Sequence, residues 1–299
     1  MASELNCTQL LNQWPDPETG DAKDLVISQF INTVVLSYRP FHYFILACVV
    51  IFAFFANILI LIVLSRKEMR YSGVNVTMML ISICDLVCAI AGLIQLYLRN
   101  FSVTYTSYIK AYTQLTVDYF QISFHAASLY LALGMAFCRV VAMSSRTDSR
   151  YTWQSPKYSL RIALLLCIPV FIFGSHNVLL NHVEIENGTI VLNISPLSLA
   201  NSCLFLKLAI FLNGLFFKIV PCILMMVLSF VILARMKSGK KASNTNSGNH
   251  IDAQIVRSSR FIQAVIVVFV ITEAPQGVLS LLGGLSINDY IKCCDTFLR

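Results

Sequence analysis

The sequence predicts an all-α fold, a bundle of membrane-spanning helices, on three observations. The first is composition: 57% of the 299 residues are hydrophobic and 12% charged, and the mean hydropathy is +0.71, whereas soluble domains carry about half apolar and a quarter charged residues. The second is that the apolar residues come in blocks of about twenty or more, the length that crosses roughly 30 Å of hydrocarbon as helix. The third is where the charge lies. Of the 22 Lys and Arg residues, fourteen fall in three alternate loop regions: Arg66, Lys67 and Arg70; Arg139, Arg146, Arg150, Lys157 and Arg161; and Arg235, Lys237, Lys240, Lys241, Arg257 and Arg260. The positive-inside bias assigns these loops to the cytoplasm and the N-terminus to the outside. The net charge of +7 is thereby a topology signal, so the expected environment is the lipid bilayer and nucleic acid is not an expected partner.

Each span follows from length and apolarity. Span one runs from about Phe41 to Leu64, span two from Val76 to Leu98, and span three, the most polar, from about Ile109 to Met143. Span four covers about Tyr158 to Leu180, span five Cys203 to Ala234 and span six Phe261 to Leu282. Residues 1–40 are polar and acidic, without the basic start and short apolar core of a signal peptide, and are expected as an extracellular segment, span one acting as its own insertion signal. Residues 41–282 form the bundle. After Gly283-Gly284, which read as a helix end, residues 283–299 carry Asp289, Lys292, Asp295 and Arg299 and are expected as a short extracellular tail, giving six spans.

Glycosylation sequons test this topology, because Asn-X-Ser/Thr is modified on the lumenal side. Asn6, Asn100, Asn187 and Asn193 start such triplets in segments expected outside. Asn75 starts another at the inner end of span two, where the match is expected to be fortuitous. Of the ten cysteines, only Cys7, Cys203, Cys293 and Cys294 lie outside apolar spans, where a disulfide can form. No metal-ligand spacing, nucleophile triad, phosphate loop or dinucleotide turn is present, so neither catalysis nor a cofactor is expected.

The residues that stand out are polar groups inside spans, since an ionised side chain at the bilayer centre costs at least about 2.5–3.5 kcal/mol. Asp85 lies in span two, Asp118, Gln121 and His125 in span three, Lys218 in span five and Glu273 in span six. Pro169, Pro221 and Pro275 interrupt spans four, five and six, where each is expected to free a carbonyl and bend its helix. Interhelical hydrogen bonding is the competing reading for any one polar residue.

Taken in order, Asn57, Asp85, Arg139, Pro221 and Pro275 resemble the rhodopsin-like receptor family. His125-x-x-Ser128-Leu129-Tyr130-Leu131, Arg139-Val140-Val141-Ala142, Lys218-x-x-Pro221-Cys222 and Thr272-Glu273-Ala274-Pro275-Gln276-Gly277 are similar to its serpentine class W branch, which includes invertebrate receptors for myosuppressin and other FMRFamide-related peptides. The resemblance covers about Phe41 to Leu282. It implies a seven-transmembrane receptor domain in the plasma membrane, a peptide ligand from outside and a heterotrimeric G protein inside. By the same resemblance the ligand site falls among Gln95, Arg99, Gln121, His125, Asn213 and Gln276, coupling falls to Arg139 and Arg146, and Asn57, Asp85 and Ser128 form an internal polar cluster. Plain hydrogen bonding competes with a ligand role for Gln95 and Asn213.

Three departures stand against the family pattern. Cys138 and Val140 flank Arg139 where an acid and an aromatic are usual. Gln114 stands where a cysteine at the top of span three is usual, leaving Cys203 without its usual disulfide partner. The seventh span and its Asn-Pro-x-x-Tyr motif are not found. A truncated, non-signalling receptor fragment is therefore one competing reading. A transporter or channel is another, because intramembrane charges also mark ion paths, although no inverted repeat is visible.

Depth ties three of the polar residues together. Lys218 lies 17 residues from Arg235, Glu273 13 from Arg260 and His125 14 from Arg139, which at 1.5 Å per residue are depths of roughly 25, 20 and 21 Å. A buried Lys218–Glu273 ion pair beside His125 is expected in that layer. Lys218 snorkelling to an interface, or pairing with Asp85, remains the alternative.

Overall fold

The computed structural model describes residues 22–101, 108–144, 153, 155–186, 189–243 and 250–285. Among them six helical segments are long and apolar enough to cross a membrane: Phe41–Leu64, Gly73–Leu98, Tyr108–Ala142, Pro156–Leu180, Cys203–Arg235 and Ile266–Leu285. These are spans one to six, and the fold is the all-α bundle the apolar blocks predict.

Span three is the axis of the bundle, with 56% of its apolar window buried against 6% for span one. Many of its buried positions are small, with Ala126, Ala127, Ala132, Ala136 and Ala142 all at most 2% exposed. Small residues let neighbouring backbones approach closely where lipid offers no hydrophobic drive for helix association. Span two packs on spans one, three and four, and spans four, five and six pack on span three. Span four starts cleanly because the Ser155 side chain accepts from the Tyr158 N–H and Pro156 opens the helix.

Four features differ from the sequence reading. The helix of span one begins at Ala22 and runs 43 residues to Leu64. The stretch from Leu25 to Leu36 contains no Gly or Pro, and the helix continues through Pro40 into the span. Second, a hairpin follows span four, its strands Asn181–Glu186 (β1) and Thr189–Ile194 (β2) pairing antiparallel from Asn181 opposite Ile194 to Glu186 opposite Thr189. Its signal was present as alternating Val183-Glu184-Ile185 ahead of Asn187-Gly188, a favoured two-residue hairpin turn.

Third, Gly283 and Gly284 lie within the last helix, His250–Leu285, rather than beyond its end. A Cβ at Gly284 would lie 2.6 Å from Phe211 Cβ and 2.8 Å from Phe211 Cα, and one at Gly277 2.8 Å from Ile219 Cδ1. Glycine is needed there because spans five and six touch almost backbone to backbone. Fourth, the helices continue through Pro169 and Pro275, whereas the chain ahead of Pro221 is a π-turn, Leu215–Ile219, between helices Pro196–Gly214 and Val220–Ser243.

Candidate functional site

At the hairpin end, spans two to six surround a cavity of about 670 Å3. Its floor is a polar cluster drawn from three helices. Lys218 Nζ donates to Glu273 Oε2 at 2.8 Å and to Gln276 Oε1 at 2.7 Å. His125 Nε2 stands 3.2 Å from Glu273 Oε1. Each oxygen of the buried Glu273 thus faces a nitrogen from a different span, and the carboxylate joins span six to spans three and five. Lys218 does not pair with Asp85.

The wall toward span two holds a second carboxylate. Asp118 Oδ1 accepts from Gln95 Nε2 at 2.6 Å and from Gln114 Nε2 at 2.7 Å. Opposite it, Asn213 Nδ2 donates to Asn177 Oδ1 at 2.6 Å, and Asn177 Nδ2 donates to Gly174 O at 3.0 Å. That pair ties the end of span four to span five immediately before the hairpin begins, and Leu180 and Asn181 line the cavity above it.

Of the candidates for the ligand site, Gln95, Gln121, His125, Asn213 and Gln276 line this one cavity, together with Lys218 and Glu273. The side chain of Arg99 lies outside the described residues, as do Asn6, Asn187, Arg146 and the side chain of Asn100. Asn193 sits in β2 opposite His182. Gln114 and Asn177 escaped the sequence reading as site residues, and Asp118, which stood out there as a polar group within span three, was not placed among the ligand-site residues. The four-residue spacing of Gln114 and Asp118 on one helical face was the available signal, whereas Asn177 gave none.

The comparisons with known proteins bear on what such a cavity is for. Residues 42–297 match the family described as serpentine type 7TM GPCR chemoreceptor Srw. The chain belongs to that family. A curated relative, the G-protein coupled receptor dmsr-1 of Caenorhabditis elegans, is 21% identical over 314 aligned positions that cover 85% of this chain. The chain spans 60% of the length of that relative. The Srw family is one of receptors and not of enzymes, and the chain is a multi-pass membrane protein.

Elsewhere in this serpentine receptor, the family-derived polar cluster is only partly assembled. Ser128 Oγ donates to Asp85 Oδ1 at 2.7 Å, but Asn57 turns its amide to the carbonyl of Ala53 on its own helix, at 2.9 Å. The reason is local, since a carbonyl four residues back lies within reach of a short amide side chain. Arg139, expected to take part in coupling, is buried at 7% exposure. It borders a void of only about 10 Å3 with Val74, Thr77, Met135, Cys138, Trp153 and Ser159, and the Trp153 and Tyr158 rings stack edge-on at 4.7 Å across this end. Cys203 is disulfide-bonded, to a partner outside the described residues. The absence of the usual span-three cysteine therefore does not leave it free.

Proposed function

We infer that this chain is a cell-surface receptor for an extracellular peptide of the FMRFamide-related type, and that it passes the signal to a heterotrimeric G protein. The N-terminus and the hairpin end face outside, and the Arg139 end faces the cytoplasm, in accord with the basic loops and with Asn6, Asn100, Asn187 and Asn193 as glycosylation sites. The observation that carries this reading is the cavity of about 670 Å3 with the Lys218–Glu273–His125 cluster as its floor. A cavity of that size is right for burying the end of a peptide. Polar groups at its base can exchange their internal bonds for bonds to the ligand.

The switch follows from differential binding. A ligand shifts a conformational equilibrium only by as much as it prefers one state. A ligand group that takes Lys218 or Gln276 removes a bond that holds spans five and six together, so its binding energy is spent on that contact. Gln95, Gln121 and Asn213 read the rest of the ligand from the walls, and Arg99 stands beyond Gln95 on the same span. Arg139 and Arg146 belong to the face that engages the G protein.

The test is binding of labelled amidated FMRFamide-related peptides to cells displaying the chain. Specific binding that falls tenfold or more in Glu273→Gln is expected, because the substitution removes a charge from the floor while keeping its shape. A chain present at the cell surface that binds none of these peptides would contradict the peptide-receptor reading.

A further inference from the structure

The position of Lys218 depends on an irregularity in its helix. Lys218 lies inside the π-turn Leu215–Ile219, in which the Val220 N–H bonds Leu215 O, five residues back. The next bond in that register would run from residue 221 to Phe216 O, and residue 221 is proline, which has no N–H to give. The structure fills this gap from another span. Tyr130 Oη on span three donates to Phe216 O at 2.8 Å.

Ordinary α spacing would not remove the problem. In that register the carbonyl left without a donor is that of Phe217, four residues before Pro221, instead of that of Phe216. In either register Pro221 leaves a carbonyl without its backbone donor at membrane depth, where water cannot satisfy it. Tyr130 reaches the Phe216 carbonyl, so its hydroxyl weights the balance toward the π register. The two registers differ by one residue per turn, a rotation of about 100° between the segments above and below. On one side of that rotation Lys218 meets Glu273; on the other it turns away.

We propose that Tyr130 is a positioning residue for the ligand cavity: its hydrogen bond to Phe216 O holds the π-turn of span five in the register that aims Lys218 at Glu273. Phe173 supports the same turn, its ring lying 5.3 Å from that of Phe216 and 5.8 Å from that of Phe217. The proposal deepens the ligand-site reading and rests on it for its functional meaning. Its structural content is independent of any ligand.

The experiment is a mutant cycle on the unfolding temperature of the detergent-solubilised chain, without ligand. Lys218→Met and Glu273→Gln, alone and together, are measured with Tyr130 and again with Tyr130→Phe, which deletes the hydroxyl and keeps the ring. The expected result is clear non-additivity with Tyr130 and its loss with Phe at 130. Equal non-additivity in both backgrounds overturns the proposal. Pro221→Ala supplies the missing N–H, so in that background Tyr130→Phe should leave the Lys218–Glu273 coupling unchanged; a loss of coupling there as large as with Pro221 also overturns it. Should Tyr130→Phe alone fail to accumulate, adding Pro221→Ala is expected to restore the yield, and continued failure counts against the proposal. Because no ligand enters these measurements, their failure would leave the peptide-binding reading to its own test.

Discussion

The two ends of this bundle solve opposite problems. At the hairpin end the helices stand apart around about 670 Å3 and hold one another through charged and amide side chains, Lys218 to Glu273 and Asn213 to Asn177. At the Arg139 end spans two, three and four leave a void of only about 10 Å3 beside Arg139, and spans three, five and six meet in a core that includes Leu129, Met225, Ile232 and Ile266, each at most 2% exposed. An open polar chamber can accept a ligand without rearranging first. With Arg139 only 7% exposed, this end must repack before a partner could reach it. On the receptor reading proposed above, this arrangement corresponds to a ligand end that is open and an effector end that is packed, and the cluster joining spans three, five and six is where one end can act on the other.

The sharpest way to break this contrast is at the closed end. Arg139→Ala is expected to abolish nucleotide exchange on the G protein while leaving peptide binding within about twofold. Preserved exchange would reduce Arg139 to a topological anchor. Next in size, Met225→Ala removes a fully buried side chain from that core and is expected to cost about 2–5 kcal/mol of stability, the range for large-to-small core changes. Thermal unfolding of the solubilised chain reads this directly, and a change too small to measure would mean the core is loosely packed. The smallest effect belongs to the open end. Asn213→Leu removes both hydrogen bonds between Asn213 and the buried Asn177 and leaves the Asn177 carbonyl oxygen without that donor, at about 1–3 kcal/mol, and should weaken peptide binding by disturbing the hairpin stem. Unaltered binding would remove that stem from the ligand site.

These expectations draw unequally on sequence and structure. All six spans could be read from apolar run length alone, because crossing a bilayer imposes a length that few other folds need. The layer shared by Lys218, Glu273 and His125 was legible for a related reason, since depth in a membrane can be counted from the basic residues that mark its inner edge. What could not be read was rotation. Asn57 sits at the right depth for Asp85 but bonds its own helix, and Asn177 meets Asn213 only because a short 3-10 segment, Ser175–Leu180, turns it across. Depth is one-dimensional, whereas partners across helices depend on azimuth. The hairpin was missed for another reason. Its two strands are six residues each, short against the helical pattern on either side, although Asn187-Gly188 marked the turn.

The link between the two ends depends on whether the charges of spans five and six are coupled at the floor of the cavity. The direct measurement is surface expression and peptide binding for Lys218→Glu, Glu273→Lys and the exchanged double mutant. Each single change places like charges together where an uncompensated one costs at least about 2.5–3.5 kcal/mol, so each should sharply reduce both readouts, and the exchange should recover a substantial part of the loss. Losses that simply add in the double mutant would contradict the pair and, with it, the lock between the open end and the closed one.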